Sequence, residues 1–277
     1  MDETVTDPRN FIDENQYPRL QTLRVTAVSS FTRSAPSSDA GAGTELIYGE
    51  LFHIHRQDGD WVWGQSETQL PWKIYPGYVG WVKKEDLSEI ESPSFRVQSF
   101  SAPVFKTASF KSSMTMILSL NAVVSGEIVG DYVKTEMGFL HSAHLCHLTA
   151  PKFSEDFVTV AERCLGQPYV WGGVRSAGLD CSGLVQTALR ATGQDAPRDS
   201  DQQALIGWAV DISPDLSNLK RGDLVFWDGH VGIMQDASHM IHANAFHMAV
   251  VSENLKEAVL RIKKSAGAIT AIRRLNN

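Results

Sequence analysis

The chain has 277 residues, of which 43% are hydrophobic and 21% charged, and its net charge is −7. That length suggests two or three globular domains. The acidic balance, with no basic run, argues against a nucleic-acid-binding surface. Cys146, Cys164 and Cys181 are the only cysteines, too few and too odd a number for a disulfide framework, and they fit a reducing compartment.

The opening residues MDETVTDPRNFIDENQYP are acidic and polar, without the basic and apolar regions of a signal peptide. No run approaches the roughly 18 apolar residues that cross a bilayer. The expectation is a soluble, cytoplasmic protein with no membrane or nucleic-acid partner.

Residues 1–20 read as an arm, in which Asp7-Pro8 and Tyr17-Pro18 disfavour a helix. Residues 21–90 read as short strands. Ser34 to Gly43 is a Ser-, Ala- and Gly-rich loop, Leu51 to His55 a strand, Asp58-Gly59 a hairpin turn before Trp61-Val62-Trp63, and Tyr78 to Val82 a further strand. Residues 91–150 repeat this theme more faintly, with Ala102 to Val104, Asn121 to Gly126 and Gly138 to His141 as strand or turn segments.

A boundary falls at Pro151. Residues 151–277 open with a helix from a Ser154 cap to Leu165, with Glu155 and Asp156 in its first turn. Tyr169 to Gln203 reads YVWGGVRSAGLDCSGLVQTALRATGQDAPRDSDQQ. Glycines precede Cys181, and Leu184, Val185, Ala188 and Leu189 then share one helical face. Gly193 suits the helix C-terminus. Cys181 therefore sits in a first turn beside a possible Asp180 cap, where backbone N–H groups favour a thiolate and can face an oxyanion.

Ser200 to Trp208 looks helical. Strands follow near 223–227, 231–235, 239–244 and 248–252, then a helix near 254–264 and a last strand at Ala268–Ile272. His230 opens one strand and is the candidate base; His242 lies twelve residues later and can orient it. Helices first and an antiparallel sheet after them make an α+β plan.

D-C-S-G at a helix start, then R-x-S-x-Q-Q, G-D-L-x-F-W, H-V-G-I and I-H-A resemble the NlpC-type papain-like peptidases of bacterial cell-wall peptides. The first strand-rich region, with its G-D-W-V turn and G-x-V-G-W-V strand, resembles a bacterial SH3-like barrel, and the second suggests another. The resemblance implies hydrolysis of the bond between γ-D-glutamate and a diamino acid, diaminopimelate or lysine, by Cys181, His230 and His242. It carries Tyr169, Trp171, Asp180, Ser182 and Ser200 over as substrate contacts, and it implies that barrel residues Glu50 and Tyr78 read a free α-amine. The implied substrate is a murein tripeptide or tetrapeptide beginning with L-alanine, met in wall-peptide recycling, and the implied product is L-Ala-D-Glu.

Core packing is the alternative for Tyr169 and Trp171, and helix capping for Asp180 and Ser182. Arg198 is the candidate to meet a substrate carboxylate, with a solvated side chain as the alternative after a proline. Cys146 and Cys164 read as core thiols. His141, His144, Cys146 and His147 match no structural zinc spacing, and no cofactor motif is present. An amidase or acyltransferase using the same Cys-His pair, or a non-catalytic wall-peptide-binding protein, are the rival functions.

Overall fold

The computed structural model describes residues 7–71, 73–150 and 156–275. The chain divides into two units, Met1–Pro151 and Lys152–Asn277. Among the described residues no helix is long and apolar enough to cross a membrane.

The first unit is built from strands. Seven of them form an antiparallel sheet in the order Ala42–Ile47, Ser29–Arg33, Val79–Lys83, Trp61–Glu67, Leu51–Asp58, Gln21–Val25, Leu87–Ser88. Strand Trp61–Glu67 alternates half-buried and buried residues, the period-2 pattern of a sheet with one covered face. Leu23, Val25, Phe52, Ile54, Val62 and Val82 meet in its core. The arm is fastened to this sheet from residue 7 onward: the Val79 N–H donates to Arg9 O at 2.8 Å and the Leu20 N–H to Ile54 O at 2.8 Å.

The strands between Phe95 and His147 form a five-stranded and a three-stranded sheet. They meet the first sheet where Val123 N donates to Tyr48 O at 3.2 Å. Gly49 is required there. Its φ is +89°, and a Cβ would lie 2.2 Å from Val123 O.

The second unit is α+β. Helices α1 (Phe157–Glu162), α2 (Cys181–Ala191) and α3 (Ser200–Gln203) come before most of the sheet, and α4 (Leu255–Ala266) is inserted ahead of its last strand. The expected cap Ser154 lies outside the described residues. Asp156 caps α1, accepting from Thr159 N at 3.0 Å. α3 is one turn and does not reach Trp208. That residue instead begins strand Trp208–Ala209, which pairs with strand Ala271–Arg274, because the chain turns at Gly207 with φ +64°. The six-stranded antiparallel sheet runs Trp208–Ala209, Ala271–Arg274, Leu224–Trp227, His230–Met234, His239–Asn244, Ala249–Asn254.

Every residue of α2 except Arg190 is buried, so the helix is covered on all sides rather than along the single face its periodicity suggests. It packs on α1, on hairpin 174–179 and on strands His230–Met234 and His239–Asn244. α4 is amphipathic. Asn254 caps it, and Leu255, Ala258 and Ile262 bury against Val225, Trp227, Met234, Met240 and Ile272. Burying Leu255 and Ile262 contributes roughly 1.5–3 kcal/mol each.

Candidate active site

The glycines around Cys181 permit a close approach of chains. A Cβ on Gly183, in the first turn of α2, would lie 2.1 Å from Gly173 O, so the preceding loop lies against the helix start. Asp180 is the N-cap. Its Oδ1 accepts from Gly183 N at 2.6 Å and its Oδ2 from Gly172 N at 2.8 Å, so it ties the loop to the helix.

Arg198 is buried, not solvated. Its Nη1 and Nη2 donate to the two Asp180 oxygens at 3.0 and 2.7 Å, and Nη1 also donates to Ser182 Oγ at 2.8 Å. Gln203 Nε2 donates to Ser182 O at 3.0 Å, which joins α3 to the same turn. Asp180 thus caps the nucleophile turn, one of the two roles the sequence offered it, and the Ser182 hydroxyl joins the same network.

Cys181 is 8% exposed. Burial and the Asp180 carboxylate push its thiol up to about 11, against the opposing pull of the Val231 N–H, Arg198 and the Ser182 N–H. The helix N-terminus alone would favour a thiolate; here burial and a neighbouring carboxylate outweigh it. His230 follows the tight turn Asp228-Gly229 and faces Trp227 across the hairpin. Burial, with help from His242 and Arg261, lowers it to about 3. Both shifts favour a neutral thiol and a neutral imidazole at rest, with the base taking the thiol proton as attack begins. Val231 N–H donates toward the Cys181 sulfur, so the residue after His230 sits at the nucleophile.

His230 Nε2 lies 2.8 Å from His242 Nδ1. Strand pairing sets Met234 opposite Met240, which puts residues 230 and 242 on the same face of adjacent strands. His242 is fully buried. Its Nε2 lies 2.6 Å from Glu253 Oε1 and 3.0 Å from Asn244 Nδ2. His239 is exposed beside Asp236, and His247 binds Asn244 Oδ1; neither occupies the place of His242.

Tyr169 is half-buried. Burial, Cys181 and Asp180 raise its phenol to about 12, which places it in the field of the nucleophile. Trp171 is 66% exposed. Ser200 is half-buried at the start of α3. Glu50 and Tyr78 belong to the first unit. Glu50 is buried and its Oε2 accepts from Ile47 N at 3.1 Å; Tyr78 lines a groove of about 520 Å³ with Arg33, Trp63 and Trp81. Cys164 is buried and bonds Val160 O at 3.6 Å. Among the described residues no group of three or more His, Cys, Asp or Glu is arranged to hold a metal ion.

A cysteine opening a buried helix, a histidine on the sheet beside it and a second histidine behind the first define a papain-like cysteine hydrolase. Residues 166–264 match the NlpC/P60 family and residues 32–87 match the bacterial dipeptidyl-peptidase Sh3 domain. The chain thus carries an NlpC/P60 domain of the cysteine-peptidase type, with an SH3-like domain ahead of it.

It is similar to the gamma-D-glutamyl-L-lysine dipeptidyl-peptidase of Bacillus subtilis, 27% identical over 215 residues that cover 72% of this chain and 71% of that protein. A Bacillus cereus protein of the same name is 25% identical over 229 residues, covering 72% of this chain and 66% of its own. The crystal structure of an NlpC/P60 family protein from Bacillus cereus shares the fold, with a TM-score of 0.75, 20% identity, and coverage of 92% of this chain and 99% of that one.

Proposed function

We propose that the chain hydrolyses the bond between γ-D-glutamate and a diamino acid in murein peptides that have a free N-terminal L-alanine, and releases L-Ala-D-Glu. The observation that carries this reading is the Cys181–His230–His242 constellation in an NlpC/P60 domain, with a dipeptidyl-peptidase Sh3 domain ahead of it. Relatives named for γ-D-glutamyl-L-lysine cleavage support the substrate class.

In this reading the Cys181 sulfur attacks the γ-carbonyl of D-glutamate while His230 takes the thiol proton. The Cys181 N–H faces the oxyanion, since the Gly183 N–H is already given to Asp180. His230 then returns the proton to the leaving amine, and a thioester remains on Cys181. Water, deprotonated by His230, hydrolyses the thioester and frees the dipeptide and the thiol. Tyr169, Trp171, Asp180, Ser182 and Ser200 are the proposed substrate contacts. A dipeptidyl-peptidase works from a free N-terminus, which suits released peptides better than intact wall, so cytoplasmic recycling is the proposed setting. Fractionation of the producing cells tests that setting.

The function is tested by incubating L-Ala-γ-D-Glu-L-Lys, its diaminopimelate counterpart and their N-acetylated forms with the protein and weighing the products. Release of L-Ala-D-Glu from the free peptides alone is expected. Cleavage of both forms would remove the recycling assignment. Cleavage of neither, with Cys181 still open to alkylation, would favour an amidase or acyltransferase. Glu50→Gln tests the amine-reading role that the sequence attaches to Glu50 and Tyr78; loss of discrimination against the acetylated peptide is expected.

A further inference from the structure

The chemistry proposed above needs a lone pair on His230 directed at Cys181. His230 Nε2 is committed to His242 at 2.8 Å, which leaves Nδ1 for the cysteine. Nδ1 can take the thiol proton only when the ring proton sits on Nε2. His230 must then donate to His242 Nδ1, and His242 in turn must carry its own proton on Nε2. The state of His230 is thus decided one residue further back, at His242 Nε2.

Two groups compete for that atom. Glu253 Oε1, 2.6 Å away, can only accept a hydrogen bond while ionised. Asn244 Nδ2, 3.0 Å away, can only donate one. The Asn244 amide is fixed in that orientation, because its Oδ1 accepts from His247 N at 2.8 Å and lies 3.0 Å from His247 Nδ1. If Glu253 prevails, both histidines carry their protons on Nε2 and His230 is a base. If Asn244 prevails, both protons move to Nδ1, and His230 presents an N–H to the thiol.

Strand pairing of Met240 with Glu253 and of His242 with Val251 puts Glu253 on the same face as His242. Arg261, on α4, forms an ion pair with Glu253 and stacks over Phe246, its guanidinium carbon 4.5 Å from the ring centroid. Burial opposes ionisation of Glu253, but the hydrogen bond and charge of His242 together with Arg261 hold its carboxyl below the usual range. The titratable and charged groups around His242 are His230, Glu253, Arg261 and His247.

Resting on the cysteine-peptidase reading above, we infer that Glu253, held by Arg261, is a positioning residue that overrides Asn244 and sets the tautomers of His242 and His230, so that His230 is delivered as a base.

The test uses the full chain with ¹⁵N-labelled histidine, reading the protonated nitrogen of each ring by long-range ¹H–¹⁵N correlation, together with turnover of L-Ala-γ-D-Glu-L-Lys. In the native chain both rings carry the proton on Nε2. Glu253→Leu moves both protons to Nδ1 and lowers kcat by roughly 10²- to 10⁴-fold, the usual worth of a positioned base, with KM nearly unchanged. Glu253→Leu with Asn244→Asp restores an acceptor at His242 Nε2, returns both protons to Nε2 and recovers turnover. Should the leucine variant unfold, the near-isosteric Glu253→Gln is read instead, with a loss of roughly 10- to 100-fold expected.

Retention of Nε2–H at both histidines in a folded Glu253 variant, or no rescue by Asn244→Asp in a folded double variant, overturns the inference. If the native chain leaves the peptide intact, the substrate assignment fails, while the tautomer readings still decide the role of Glu253.

Discussion

Arg198→Met removes the buried ion pair behind the nucleophile turn. Arg198 and Asp180 are each more than nine-tenths buried. The mutation removes two charged hydrogen bonds to Asp180, at 3.0 and 2.7 Å, and one to Ser182 Oγ at 2.8 Å. It leaves a buried carboxylate held by the Gly172 and Gly183 N–H groups and, at 3.4 Å, by the Ser182 hydroxyl. Breaking a buried pair on one side costs roughly 3–5 kcal/mol, and the two backbone donors that remain argue for the lower end, about 3 kcal/mol. Asp180→Asn in the same chain removes the stranded charge, so the double variant is expected to lose less than the two single losses summed, by about 1.5 kcal/mol or more. Urea-dependent hydrogen exchange of peptides spanning α2 reads the opening energy of this segment without assuming that both units unfold together. An α2 opening energy in Arg198→Met within about 1 kcal/mol of native, or strict additivity in the double variant, would show that the pair does not organise the nucleophile turn.

Further outcomes follow from the same geometry. Alkylation of Cys181 by iodoacetamide in the free protein, separated from Cys146 and Cys164 by peptide mapping, should keep accelerating past pH 9, since burial and Asp180 push this thiol up to about 11. Asp180→Asn should bring the midpoint down, and a rate plateau below pH 8 in the native chain contradicts the neutral resting pair. His230 and His242 are both lowered by burial. The unfolded chain therefore binds protons that the folded chain refuses, and stability falls as pH drops below about 6.5. The Tm should begin to decline between pH 6.5 and 5, above the carboxylate range; a flat Tm down to pH 5 argues against these shifts. Gly183→Ala gains roughly 1 kcal/mol of helix propensity but drives a Cβ to 2.1 Å from Gly173 O. Overpacking of this kind costs roughly 1–3 kcal/mol, so a lower Tm is expected, and a higher one refutes the close approach.

The catalytic sequence pattern was legible because its elements are local. Cys181 in a first turn, the glycines before it and the Asp228-Gly229 turn before His230 each follow from neighbouring residues, and α2, the sheet strands and α4 lie within a few residues of their expected places. The ion pair of Arg198 was not legible because its partner Asp180 lies 18 residues away, a distance that local rules do not span. Glu253 carried no motif. Its relation to His242 depends on the register of strands His239–Asn244 and Ala249–Asn254, which the turn between them sets. The overlong helix assigned to 200–208 failed for a tertiary reason, since Trp208 is drawn into an edge strand against Arg274. The thiol's rise follows from burial and from the same Asp180 that caps the helix, so the cap and the electrostatic cost come from one residue.

The most direct test of the central claim is turnover of L-Ala-γ-D-Glu-L-Lys by the native chain and by Cys181→Ala, with products identified by mass. Release of L-Ala-D-Glu and free lysine by the native chain, and no release by a folded Cys181→Ala, is the expected result. Equal release by both chains would contradict Cys181 as the nucleophile, and an intact peptide with both would contradict the proposed bond.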